Sequence, residues 1–108
     1  RKEIVFDNNY FLYKDFLPIK LLLLYIEKLI KLNVKGVLNI GSGIPYLVKD
    51  FVDKIIDPTK VTIRVKLSKK FKDKSYSFNI NKLIKLTGVK INKKKLNVYF
   101  SRLKNKLV

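Results

Sequence analysis

The sequence predicts an α+β domain of about four helices with short strands, and three patterns carry that expectation. Apolar residues recur at three- and four-residue spacing over residues 46–56 and 96–107, and residues 19–32 are strongly apolar with Lys20, Glu27, Lys28 and Lys31 interspersed. Both patterns suit helices that bury one face or more. Val61, Ile63, Val65 and Leu67 alternate with Thr62, Arg64 and Lys66, which is the period of a half-buried strand. With 108 residues and 47% hydrophobic side chains, the chain has material for one domain with one core.

The elements follow in order. Asp7-Asn8-Asn9 is a turn signal between Ile4-Val5-Phe6 and Tyr10-Phe11-Leu12-Tyr13, which read as two short extended segments. Pro18 suits the first turn of a helix. The apolar run 21–26 is too short for a bilayer, which takes about 20 residues, so it reads as a buried helix and the whole 21–30 stripe as core. Gly36 is expected to end the helix region, Val37-Leu38-Asn39-Ile40 to form a buried strand, and Gly41-Ser42-Gly43 to make a tight loop into the helix over 46–56, which Asp57-Pro58 stops. Residues 68–77 are a lysine-rich loop. Beyond it Asn79 or Asn81 caps a short helix that Gly88 terminates, and a turn over 92–95 leads into the last helix.

Composition excludes several chemistries. Cys, His, Met and Trp are all absent, which removes disulfides, thiol nucleophiles, imidazole catalysis and the usual zinc ligand sets. Residues 1–9 show no signal-peptide pattern and the first residue is not Met, so the expectation is a cytoplasmic protein and an excised or processed segment. A formal charge of +17 points to polyanions, but it comes from 22 Lys and only 3 Arg, beside many Ile and Asn and no Ala. That skew follows A- and T-rich codons, and Arg is the side chain preferred for bidentate phosphate contacts. Solvated surface and a dedicated polyanion site both remain open, the second making a small basic nucleic-acid-binding module the alternative function.

Three motifs carry a family resemblance. Lys14-Asp15-Phe16-Leu17-Pro18-Ile19 resembles an Arg-Asp-Phe/Tyr-hydrophobic segment leading into a helix. Gly36-Val37-Leu38-Asn39-Ile40-Gly41-Ser42-Gly43 resembles a Gly-Val-Tyr-Asn-Ile-Gly-Ser-Gly motif. Residues 81–90, from Asn81-Lys82-Leu83 to Leu86-Thr87-Gly88-Val89-Lys90, are similar to a Lys-Leu, Leu-Gly-Trp-Lys/Pro signature. In this order they resemble the C-terminal substrate-binding part of extended short-chain dehydrogenase/reductases, the NAD-dependent epimerase/dehydratase family that modifies nucleotide sugars. The resemblance implies that residues 1–108 form a single C-terminal lobe that binds a nucleotide diphosphate sugar and is not catalytic alone. NAD(P) and the catalytic Tyr/Lys then belong to an N-terminal Rossmann domain absent from this sequence, and no cofactor or metal is expected here. The implied pocket residues are Lys14, Asp15 and Phe16, with a loop cation near the diphosphate for which Lys69, Lys70 and Lys72 are all candidates. The chain departs from the pattern at Lys20 and Leu21, where acidic residues are usual, at Tyr46-Leu47, where Ser or Thr is usual, and at Val89, which replaces the tryptophan.

Other motifs have plainer readings. Gly41-Ser42-Gly43 lacks the third glycine of a dinucleotide fingerprint, Tyr46 standing there. Tyr10 and Lys14 have Tyr-x-x-x-Lys spacing, but an extended segment would hold them about 13 Å apart, so Tyr10 is expected to pack. Phe71, Tyr76 and Phe78 interleave with the loop lysines and either stack on a nucleotide ring or anchor the loop. A small lobe of this kind is expected to expose a former interface and to be able to self-associate, with no membrane partner.

Overall fold

A computed structural model describes residues 2–70, 74–75 and 78–104. The chain runs β1 (Lys2–Phe6), a 3-10 turn (Asn8–Phe11), β2 (Tyr13–Lys14), α1 (Ile19–Lys31), β3 (Tyr46–Leu47), α2 (Val48–Ile55), β4 (Val61–Val65), α3 (Asn81–Thr87) and α4 (Lys93–Lys104). The architecture is α+β, with helices against two small two-stranded sheets. In one sheet β1 and β4 run parallel from Lys2 opposite Val61 to Phe6 opposite Val65. In the other β2 and β3 run antiparallel, Tyr13 facing Leu47 and Lys14 facing Tyr46.

Local chemistry sets the boundaries. The segment after β1 is not extended, because the Asp7 carboxylate accepts from the Asn9 amide at 2.8 Å and the Asp7 carbonyl accepts from the Tyr10 amide, closing a 3-10 turn. Helix α1 ends before Gly36, through a left-handed Asn33 (φ 52°). The Val34 amide donates to the Leu29 carbonyl and the Asn33 amide to that of Ile30, a Schellman closure with asparagine at the left-handed position. Residues 37–40 form no strand: Val37 is 93% exposed, while Leu38 and Ile40 lean on the core. A short apolar run does not make a strand by itself, and among the described residues 37–40 join neither sheet. Helix α2 starts two residues later than expected because Tyr46 and Leu47 are used in β3. Helix α3 ends on Gly88 at φ 69°. Helix α4 begins at Lys93, earlier than expected, because the Asn92 side chain accepts from the Lys95 amide at 2.8 Å and caps it; the expected helix end over 105–107 lies outside the described residues.

The core gathers Leu21 and Tyr25 of α1, Tyr46, Leu83 of α3, and Leu96 and Phe100 of α4. Phe16 stacks on Phe51 with ring centres 4.0 Å apart, and Phe100 meets both edge-on. The 19–32 run is not core throughout. Leu21 and Tyr25 are buried, whereas Leu23, Ile26 and Ile30 on the opposite face are exposed, because the helix rests on a single layer and the described residues leave its far side open.

Among the described residues three phenols, those of Tyr10, Tyr25 and Tyr46, are wholly or nearly buried. Tyr25 donates to the Val89 carbonyl and Tyr46 to the Asn97 side-chain oxygen. Burial pushes each phenol above its ordinary value, with help from Asp15 at Tyr25, Asp50 at Tyr46 and Asp53 at Tyr10. A raised folded-state pKa means that the folded chain keeps protons the unfolded chain has lost. This contribution to stability is therefore complete below pH about 10 and is lost as pH rises beyond it. In a pH titration followed by phenolate absorbance, these tyrosines ionise above the pH at which the urea-unfolded chain does, and the urea midpoint falls over the same range.

Candidate functional site

The Gly-Ser-Gly turn is built around one carboxylate. Asp15 Oδ1 accepts from the Ser42 amide and Asp15 Oδ2 from the Gly43 amide, each at 2.9 Å. Consecutive amides pointing into one hollow form an anion-binding nest, and here the chain fills it with its own side chain. The packing leaves little slack. A Cβ on Gly41 would lie 3.1 Å from Asp15 Oδ2, and one on Gly43 (φ 70°) would lie 2.6 Å from Ile80 Cγ1. Ser42 is buried and satisfied, its hydroxyl accepting from the Ile44 amide at 3.1 Å. The turn therefore has a structural role, and Tyr46, in the place of the third glycine, is a core side chain 1% exposed.

Next to this clamp lies a hollow of about 430 Å³, bounded by Phe16, Pro18, Phe51, Phe100 and Leu103, with Asp15, Lys20 and Arg102 also on its wall. Its floor is the Phe16–Phe51–Phe100 cluster, and the Arg102 guanidinium sits 6.0 Å from the centre of the Tyr99 ring. An apolar floor with two cations on the wall, against one carboxylate that the turn amides already hold, suits an anionic ligand with a flat or aliphatic body.

The expected site residues do not all share this hollow. Asp15 and Phe16 line the hollow; Lys14, Lys69 and Lys70 do not. Lys14 belongs to β2, and Lys69 and Lys70 lie in the segment after β4. The loop after β4 is tied to the chain before α1 at two points: the Ser68 amide donates to Asn8 Oδ1 at 2.7 Å, and the Tyr13 amide donates to Ser75 Oγ at 2.9 Å. Lys14 Nζ also donates to the Lys74 carbonyl at 3.4 Å. Residues 60 and 62 apart in sequence thus bring Lys74 and Ser75 against β2 beside Lys14. Lys72, Phe71 and Tyr76 lie outside the described residues.

Tyr10 is buried, with its ring 5.1 Å from that of Phe6 and 5.4 Å from that of Phe11. It belongs to the 3-10 turn and Lys14 to β2, so the two share no helix face. Its phenol is shifted upward, opposite to the shift a tyrosine base needs. Phe51, Tyr99, Phe100 and Arg102 were not expected at a site. Their helical spacing signals a buried face, and only the fold shows that α2 and α4 meet imperfectly over Phe16. Among the described residues no group of three acidic, His or Cys side chains could hold a metal ion, and no helix is long and apolar enough to cross a membrane. Comparison with protein-family models, with curated proteins and with solved structures finds no match to this chain.

Proposed function

We propose that this chain is the nucleotide-sugar-binding lobe of an NAD(P)-dependent sugar epimerase or dehydratase of the cytoplasm, working with a separate Rossmann domain that carries the cofactor and the proton-transfer residues. One observation carries the reading. The Lys-Asp-Phe and Gly-Ser-Gly motifs, on which the family resemblance rests, are joined in space by the two Asp15 hydrogen bonds at 2.9 Å. Two sequence signatures that are weak alone thus behave as one unit. In this reading Lys14, Lys69, Lys70 and Lys72 face the diphosphate, Asp15 holds the turn, and Phe16 forms the adjoining apolar wall. Lysines there act as point charges without the planar fork of guanidinium, so they attract the diphosphate without fixing its orientation.

Titration of the 108-residue chain with UDP-, dTDP-, GDP- and CDP-sugars at fixed ionic strength, followed by amide shifts, tests this. The expected result is discrimination among the four, with shifts concentrated at residues 13–16 and 68–70. The double variant Lys69→Ala/Lys70→Ala should bind about tenfold more weakly, two charge-assisted contacts having been removed. Equal, steeply salt-dependent affinity for every sugar nucleotide and for DNA would replace the reading with that of a nucleic-acid-binding module.

A further inference from the structure

Helix α1 carries an apolar face that nothing in the described fold covers. Ile19 (72% exposed), Leu23 (59%), Ile26 (39%) and Ile30 (73%) follow one another at spacings of four, three and four. At 100° per residue they fall within an arc of about 60°, the spacing of a coiled-coil seam, over roughly 16 Å of helix. Lys20 and Glu27 flank the seam on the same side, one near each end, and half-buried Leu22 and Leu29 flank it on the other.

From this we propose that α1 pairs antiparallel with α1 of a second copy of the chain. In an antiparallel seam Leu23 meets Ile26 of the second copy and Ile19 meets Ile30, and the two-fold axis repeats each contact. Two features make the face complementary to itself. The first is charge: this register brings Lys20 of each copy alongside Glu27 of the other. Glu27 is otherwise held only by an exposed i,i+4 contact with Lys31, which is weak. The second is shape: a hollow of about 390 Å³ lies at the carboxyl end of the helix, lined by Ile26, Leu29, Ile30, Asn33 and Val34. Ile19, which stands out furthest at the amino end of the seam, reaches that hollow in the second copy, and the exchange is mutual. Each copy carries a net charge of +17, so the repulsion has to be screened for the pair to form. The inference does not rest on the nucleotide-sugar reading, although Ile19 and Lys20 of the seam also line the hollow at Phe16.

Sedimentation equilibrium of the 108-residue chain at about 0.3 M salt, where the Debye length is well under 10 Å, tests the pairing. The average mass is expected to rise with concentration from 12.7 kDa toward twice that value. Leu23→Lys, an exposed change that leaves the thermal midpoint in place, is expected to raise the dissociation constant at least about tenfold. Lys20→Glu and Glu27→Lys should each weaken association several-fold, and combining them in one chain should restore it. The natural chain has no cysteine, so mixing Leu23→Cys with Ile26→Cys chains should give mainly 23–26 cross-links. A mass constant at 12.7 kDa up to about millimolar concentration, association indifferent to Leu23→Lys, failure of the double charge variant to recover, or a predominance of 23–23 links overturns the proposal. A monomer whose α1 amides shift only when a different protein is added also overturns it, and gives the seam to that protein.

Discussion

Replacing Gly43 by alanine lowers the stability of the fold by about 2–5 kcal/mol, the sum of a left-handed backbone forced on an L-residue and an overlap in the core. The new methyl carbon would stand 2.6 Å from Ile80 Cγ1 and 2.8 Å from Ile80 Cδ1, with φ at 70°. Ile80 is itself core, 6% exposed, and packs beside Leu83, so the overlap is relieved only as far as its end can turn into the hollow it lines with Gly43 and Ile44. A double-mutant cycle in urea separates the two costs. Ile80→Ala alone destabilises by leaving a cavity, yet Gly43→Ala is less damaging in the Ile80→Ala background than in the natural one, because the overlap is gone and only the backbone strain remains. Strictly additive effects would show that the overlap carries none of the cost.

The second large effect belongs to Asp15. Asp15→Ala removes the acceptor from the Ser42 and Gly43 amides together, and with charge-assisted bonds at about 1.5–3 kcal/mol each the expected loss is about 3–5 kcal/mol. Asp15→Asn is intermediate: its single amide oxygen satisfies one donor, and its NH2 group confronts the other. The alanine variant also empties the nest. Inorganic phosphate or sulfate added to it is therefore expected to raise the urea midpoint of Asp15→Ala, while leaving the natural chain unchanged beyond the general effect of salt. A null response to both anions would mean that the turn collapses when the carboxylate leaves.

Features set by neighbours in sequence could be read without coordinates. Pro18 before the apolar run marks the start of α1, Gly88 stops α3, and the alternation from Val61 to Val65 is a strand with its odd positions half-buried. Features that depend on a distant partner could not be read so directly. Residues 37–40 have a strand's composition but no edge to join. The 19–32 run has so many leucines and isoleucines that nothing distinguishes its covered face from its bare one. At the candidate site, the motif residues could be picked out singly, but the clamp between Asp15 and the turn spans 27 positions. The tie between the lysine loop and β2 spans about sixty, and local pattern does not encode contacts of that separation. The aromatic hollow was hidden for another reason: a gap between packed helices leaves no mark on their periodicity.

The parallel pairing of β1 with β4 carries a consequence for the order of folding. Lys2 lies opposite Val61, so this ladder closes only after roughly sixty residues of intervening chain have been brought round, and closing a loop of that size is entropically dear before any contact is gained. Helices α1 and α2 can form from contacts within a few residues, whereas a two-stranded ribbon without a third strand has little to stabilise it in isolation. The amino-terminal strand is therefore the last piece to join the native structure and the first to leave it. During synthesis β1 waits for β4, and the core closes only when α3 and α4 follow, since Leu83, Leu96 and Phe100 all lie beyond β4.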